Sequence, residues 1–405
     1  MRKIIFTFLA IIFTVSIGYS QVTTLWEKSA GTSTLPAWFG TDLTRGLAYG
    51  NNHVYVVSRT GGSFVYIFNA ATGDSIGLLR TDGVSGGTYA VSDAEVSSNG
   101  VIFVCNLTTS ALASPFKVYK YTTEADSPVV AIEYTGPVAA RLGDKFTVTG
   151  STADNSIIIW AASANTKELY KFTTSDNGAT FTATIVQLPS LGSVSLGSAS
   201  VGPLPNSDFY YNAGGQNVQK FLADGTVVDT VSGSIVATGS NSIRFISTLS
   251  LNEYFVTFAF GTGNQNGRIV KVPGGDINLA ELVGTTNTLG ANANANGAGD
   301  VAVQKVSNYF YNIYVLSTNN GFGAYQLDLR PQLAGDYYIG APGTGPGGSN
   351  PQFATLREAF DVLNDATFTA NCNFFITSDI TETYTPVVGL GLAINPDPFT
   401  VTFKP

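Results

Sequence analysis

Side chains that could do chemistry are few and widely spaced. His53 is the one histidine among 405 residues. It follows Asn51-Asn52 at the head of an apolar run, with no nucleophile motif beside it. Ser-His-Asp or Cys-His catalysis needs the imidazole within hydrogen-bond reach of a nucleophile, so His53 reads as a hairpin-edge residue. A single histidine also argues against zinc, haem and copper centres. Cys105 and Cys372 are the only cysteines. They form no CxxC pair and no disulfide framework, and Cys105, inside Val101-Ile102-Phe103-Val104-Cys105, reads as a small buried apolar residue. Gly261-Thr262-Gly263 joins two strands instead of opening a helix, so it is no phosphate cradle. The Asn/Ala/Gly run from Leu289 to Gly299 reads as an inter-blade loop and not a calcium loop, since only Asp300 brings charge. No cofactor and no metal is expected.

Charged residues stand instead at the heads of apolar runs: Arg45, Asp93, Asp144, Arg244 and Asp300; where such runs are the innermost strands of a propeller, their starts are expected at the mouth of its channel. Two carboxylates about 5–9.5 Å apart can cleave a glycosidic bond by acid/base chemistry. Arg45, Arg141 and Arg244 can clamp a carboxylate through paired N–H donors. Aspartates also order turns with no further role, and these readings stay open. A second group follows the second strand of successive units: Arg59 in the first, then Asn106, Asn165, Asn212, Asn264 and Asn319. Amides donate and accept at once, which suits sugar hydroxyls, although asparagine is equally a turn residue. Trp38 and Phe39 offer rings for stacking beside them.

The elements that would position these residues are strands. Up to residue 350 the chain is a series of short runs rich in Val, Ile, Phe, Tyr and Thr, parted by Gly/Asn/Asp turns, as all-β proteins require. The runs recur in six groups over 22–330, about 51 residues each, the size of a four-stranded propeller blade. Examples are His53–Val57 with Phe64–Phe68, and Tyr254–Phe258 with Arg268–Val272. The sixth group stops after three strands at Arg330-Pro331, and an orphan strand, Val22–Glu27, stands at the start. Pairing the two closes a ring and removes two exposed edges. The expected fold is all-β: a six-bladed β-propeller over 21–331 closed by its N-terminal strand. A pair of β-sandwiches is the alternative, but no linker divides the chain midway.

Residues 1–20 read as a secretory signal peptide, with Arg2 and Lys3, an apolar Ile4–Ile17 stretch and a small-x-small Gly18-Tyr19-Ser20 cleavage site. The stretch is too short for a comfortable span of about 20 residues. Losing Arg2 and Lys3 takes 20 basic residues to 18 against 28 acidic ones. That balance argues against nucleic acid and against an anionic membrane surface. A soluble, exported monomer is expected, with no membrane insertion after cleavage.

The blade texture of 22–330, such as Arg45-Gly46-Leu47-Ala48-Tyr49 followed by Val54–Arg59, resembles a family of secreted bacterial β-propellers of unknown function. The resemblance implies fold and export, not a mechanism. Thr174-Ser175-Asp176-Asn177-Gly178-Ala179-Thr180-Phe181 resembles the Asp-box of sialidase-like propellers, which implies a structural turn late in the third blade. Beyond it, 332–351 is dense in Pro and Gly and reads as a linker. A partial α+β segment follows at 352–405. Its helix is expected to start at Asn350 (N-cap) and Pro351, with Phe353, Leu356, Phe360 and Leu363 on one face. Strands are expected at Phe374–Thr377, Thr383–Thr385 and Phe399–Phe403. Leu333–Gly340 with Phe353–Phe360 is similar to the capped first rung of parallel β-helices in surface proteins of Gram-negative bacteria, and implies a chain that continues into a larger surface protein.

The function expected from these features is binding of a polysaccharide or a surface protein, outside the cell or at its surface, without catalysis. Glycan cleavage, sialidase-like or otherwise, and a purely structural place in an adhesin are the alternatives.

Overall fold

The computed structural model describes residues 21–405 except 41, 193–196, 250, 262, 381–395 and 397. The expected signal peptide and the Thr383–Thr385 strand lie outside the described residues. Residues 21–328 make one compact unit and 329–405 a second.

The first unit is a six-bladed β-propeller of six four-stranded antiparallel sheets; five run in chain order from the axis outward, and the sixth takes its outermost strand from the N-terminus. The inner strands are Thr44–Gly50, Tyr89–Val96, Thr147–Thr149, Ser200–Pro203, Asn241–Leu249 and Gly299–Lys305. Second strands such as Ile102–Leu107 are buried along their whole length, because neighbouring blades cover both faces, and so they read as continuous apolar runs. Outer strands such as Ser75–Leu78 are exposed. Each apolar layer lies between two blades; Phe103, Cys105 and Phe116 of the second pack with Ile157, Tyr170 and Phe172 of the third.

The ring closes as the orphan strand suggested. Gln21–Ser29 pairs antiparallel with Gly321–Asp328, from Gln21 opposite Asp328 to Ser29 opposite Gly321. Trp26 fastens this closure to the first blade, donating from Nε1 to the Ala70 carbonyl at 2.9 Å and standing edge-on to Phe322.

Inner strands of adjacent blades diverge too far to share a sheet, yet here side chains lace them. The Leu47 amide donates to Asp300 Oδ2 at 2.8 Å, joining the sixth blade to the first. Phe146 N donates to Asp93 Oδ2 at 3.1 Å, and Thr147 Oγ1 to the Val201 carbonyl at 2.8 Å. Ile243 N donates to Ser200 Oγ, and Val301 N to Ser242 Oγ, both at 3.1 Å. Between the first and second blades the strands meet backbone to backbone: a Cβ on Gly46 would lie 2.7 Å from Asp93 Cα and 2.9 Å from the Ser92 carbonyl oxygen. Gly46→Ala is therefore expected to cost about 1–3 kcal/mol by overpacking, read as a lower denaturant midpoint with unchanged slope.

The second unit carries a parallel sheet of Gln332–Ile339, Thr367–Ile376 and Val401–Lys404. The 332–351 linker thus begins with a strand: its alternation of Leu333, Tyr337 and Ile339 buries against the helix, a pattern that the Pro/Gly richness further on obscures. The helix runs Leu356–Asp365, later than expected, with Thr355 and not Asn350 as N-cap. Thr355 Oγ1 accepts from Glu358 N at 3.2 Å, and Glu358 Oε2 accepts from Ala354 N at 2.7 Å. This is a capping-box arrangement, and it gives the Thr-Leu-Arg-Glu-Ala motif its physical purpose. Leu363 and Ala359 are buried on the sheet, with Leu356 and Phe360 partly so.

Candidate functional site

The inner strands bring five charges to the propeller axis. Asp93, Arg244 and Asp300 converge there with Glu95 and Lys145, which the sequence reading did not single out. Asp93 and Asp300 are fully buried, and Lys145 and Arg244 nearly so. These residues therefore sit inside the channel and not at its mouth, correcting the expected placement of Asp93, Arg244 and Asp300. Asp300 is the hub. Besides Leu47 N, it accepts from Lys145 Nζ at 2.7 Å, Ser242 Oγ at 2.6 Å and Val301 N at 2.9 Å. Burial works against its charge, but Lys145 and Arg244 hold its carboxyl below the usual value. Asp93 has the reverse balance: burial, then the charge of Asp300, pushes its carboxyl well up. Glu95 pairs with Arg244. Burial pushes the Glu95 carboxyl up to about 7, against the opposing pull of Arg244.

Ser242 reaches Asp300 because the inner strand bulges there, with Ser242 in the left-handed region at a φ of +55°. A cavity of about 270 Å³ opens toward the end where the inner strands finish. It is lined by Tyr49, Thr147, Thr149, Phe245, Glu95 and Arg244 among others. Of the three channel carboxylates, Glu95 alone lines it.

At the other end, where the inner strands begin, stand Arg45, Arg59, Arg141, Asp144 and Tyr89. Arg141 holds Asp144 through Nε at 2.7 Å and Nη2 at 2.6 Å. Arg59 donates from Nε to the Val91 carbonyl and from Nη2 to Ser92 Oγ, with its guanidinium carbon 4.1 Å from the Tyr89 ring centroid. Arg45 donates from Nε to the Asp42 carbonyl at 3.0 Å. The expected trio of Arg45, Arg141 and Arg244 is not assembled, because Arg244 is committed to Glu95 deep in the channel.

The amides that follow the second strands do not form a ring of free groups. Asn106 spans its own loop, donating to the Pro115 carbonyl and accepting from Lys117 N. Asn165 donates to the Ala139 carbonyl and accepts from Arg141 N. Asn212 is buried and donates to Thr257 Oγ1. Asn264 donates to the Phe260 carbonyl and accepts from Arg268. Asn319 ties Asp42 to the Ala293 carbonyl. Asn106, Asn165, Asn264 and Asn319 each fasten a loop, whereas Asn212 joins the second strands of the fourth and fifth blades, its Oδ1 without a partner among the described residues.

These fastened loops frame a cleft between the fifth and sixth blades. A cavity of about 540 Å³ is lined by Phe260, Gly263, Gln265, Thr288, Asn292 and Asn294 among others. A neighbouring cavity of about 290 Å³ shares Asn292 and Ala293 and adds Leu35, Phe39 and Asn319. Asn294 is locked onto Ala298 and Gln265. Asn292 donates to the Asn319 carbonyl at 2.7 Å. Among the described residues, nothing engages Asn292 Oδ1 or Gln265 Nε2. Phe260 rests against Gly297, whose φ of +61° only glycine adopts readily.

The remaining motifs are structural. In the Thr174–Phe181 turn, Asp176 accepts from Thr180 N and Thr180 Oγ1, and Thr174 Oγ1 accepts from Gly178 N. These hydrogen bonds hold the Asp176 carboxyl well below its ordinary value. His53 Nδ1 lies 2.6 Å from Glu124 Oε1 at a hairpin end. Cys105 and Cys372 are buried and unpaired with each other.

A closed six-bladed ring with a charged axis and loop-framed clefts is the class of protein that fold and site define. Residues 16–278 match the family described as a domain of unknown function, DUF4623, and the chain belongs to that family. The fold is similar to that of a DUF4623 family protein from Bacteroides eggerthii. The two are 17% identical with a TM-score of 0.61, covering 76% of this chain and 75% of that one. A protein of unknown function from Bacteroides thetaiotaomicron is 14% identical with a TM-score of 0.51, covering 76% of each chain. Both likenesses are of fold alone. No curated protein matches the chain.

Proposed function

We propose that this protein is a non-enzymatic, exported propeller that binds a glycan in the cleft between its fifth and sixth blades, as part of a larger surface protein. The observation that carries the reading is the cleft itself. It offers one unengaged acceptor, Asn292 Oδ1, one unengaged donor, Gln265 Nε2, and the Phe260 ring, on loops pinned by Asn294, Asn319 and Asn320. Sugar recognition needs this combination of fixed polar atoms and an apolar face. Two-carboxylate glycoside cleavage is disfavoured because Asp93 and Asp300 are wrapped by protein donors, leaving Glu95 without a second acid in its cavity.

Export is supported by the signal-like residues 1–20. Continuation into a β-helical stalk is supported by the all-parallel order of the second unit's sheet. Tyr337, Phe374 and Phe403 stack through that sheet at 5.0 and 5.2 Å, close to the ordinary strand spacing.

Calorimetric titration of the mature chain with a panel of neutral oligosaccharides tests the reading. Binding by at least one sugar is expected. Phe260→Ala removes a stacking face worth about 1 kcal/mol, so it should weaken that binding roughly fivefold. No binding across the panel, or binding indifferent to Phe260→Ala and Asn292→Ala, would count against it.

A further inference from the structure

Three guanidinium groups, Arg45, Arg59 and Arg141, meet at the channel mouth with Asp42 and Asp144 beside them. Arg141 and Asp144 satisfy each other, leaving Arg45 and Arg59 with no carboxylate of their own in hydrogen-bond contact. Arg45 uses Nε alone, and among the described residues neither of its Nη atoms is engaged. Arg59 is held rigidly by the Val91 carbonyl, Ser92 Oγ and the Tyr89 face, with Nη1 left over. The strands keep the two side by side: Arg59 N donates to the Leu43 carbonyl at 2.9 Å, across from the start of Thr44–Gly50. Arginines kept adjacent at a cost in repulsion, half-buried and pre-oriented, suit an oxyanion with two or more acceptor atoms.

The site is continuous with the cleft. Asn292 bonds Asn319 at 2.7 Å, Asn319 bonds Asp42 Oδ1 at 3.0 Å, and the Asp42 carbonyl accepts from Arg45. We infer that Arg45 and Arg59 form a carboxylate-binding subsite, so that the glycan taken by the cleft carries an acidic sugar such as a uronic acid. The inference rests on the glycan reading for its ligand class, while the anion site has its own geometry. Burial and then the charge of Arg45 lower the Arg59 guanidinium to about 10, and burial lowers Arg45 against the pull of Asp144 and Asp42. A bound carboxylate offsets the repulsion between Arg45 and Arg59.

The test titrates the mature chain at low salt with oligogalacturonate, its methyl ester, a neutral oligosaccharide and a sulfated dextran oligomer. The expected result is tighter binding of oligogalacturonate than of its ester. Arg45→Gln, which loses no internal contact except the one to Asp42, should weaken oligogalacturonate about tenfold and leave the ester unchanged. Arg45→Lys should recover part of the loss. Equal binding of acid and ester, indifference to Arg45→Gln, or preference for the sulfated oligomer would overturn the inference. Oligogalacturonate binding that depends on Arg45 but not on Phe260 would uphold the subsite and reject the cleft reading. Neutral-sugar binding that depends on Phe260, with no acid preference, would do the opposite.

Discussion

Replacing Asp300 with asparagine is expected to lower the stability of the propeller by about 3–5 kcal/mol. The carboxylate accepts from four donors drawn from four blades: Leu47 of the first, Lys145 leading into the third, Ser242 of the fifth and Val301 of its own. An amide keeps the shape but removes the charge facing Lys145, whose ammonium is 1% exposed and has no route to water. It also turns an N–H group toward donors. Asp93→Asn is the matched comparison. Burial already keeps that carboxyl above its ordinary value, so the substitution removes little charge. Its cost should be about 1–2 kcal/mol, the loss of one of the two backbone donors at Ala94 and Phe146. Equilibrium denaturation of both variants at one pH reads the difference. Equal costs would mean that Asp300 is not the hub.

Stability should also fall as the pH rises from about 5 to about 8. The Glu95 carboxyl, pushed up to about 7 by burial, keeps its proton in the folded chain well above the ordinary value of 4.5. Between those values the folded state binds more protons than the unfolded one. This contribution is therefore complete below about pH 4.5 and is lost as pH climbs through about 7. The shift corresponds to about 3 kcal/mol. Asp93, raised by the same burial, acts in the same direction, whereas Asp300, whose carboxyl is lowered, adds stability across this interval and loses it only in acid. Glu95→Gln should match the parent at pH 5.5 and stay flatter up to pH 8. A parent stability that rises over this interval would contradict the assignment.

The ring and its closure were legible because blades repeat an apolar rhythm and because the sixth group lacked a strand that Val22–Glu27 could supply. The axis was read less well. Asp93, Arg244 and Asp300 were found, but at the channel mouth, because a charged residue in an apolar run looks like a strand end. Asp93 and Arg244 are in fact internal to Tyr89–Val96 and Asn241–Leu249, and Asp300, though second in Gly299–Lys305, is as fully buried as Asp93, since an inner strand turns one face to a polar channel. The period of two that puts Asp93 on that face also puts Glu95 there, and that signal was available. Lys145 was not so accessible, since its partner is 155 residues away and only ring closure brings the two together. The asparagines were recognised by position but not by duty. An amide that fastens a loop and one that meets a ligand have the same sequence signature, and only the tertiary arrangement separates Asn264 from Asn292. Asn350-Pro351 and the Thr355–Glu358 capping box are both helix-start signals, and only packing on the sheet selects the second.

On the proposed reading, a charged axis braces the ring and a separate cleft takes the ligand. Amide hydrogen exchange of the mature chain, with and without the tightest-binding sugar of the panel, tests that separation most directly. Added protection is predicted in residues 259–266 and 287–297, with the strands Tyr89–Val96 and Asn241–Leu249 unchanged. Protection centred on those two strands, around Glu95 and Arg244, would move the binding site into the channel and contradict the account.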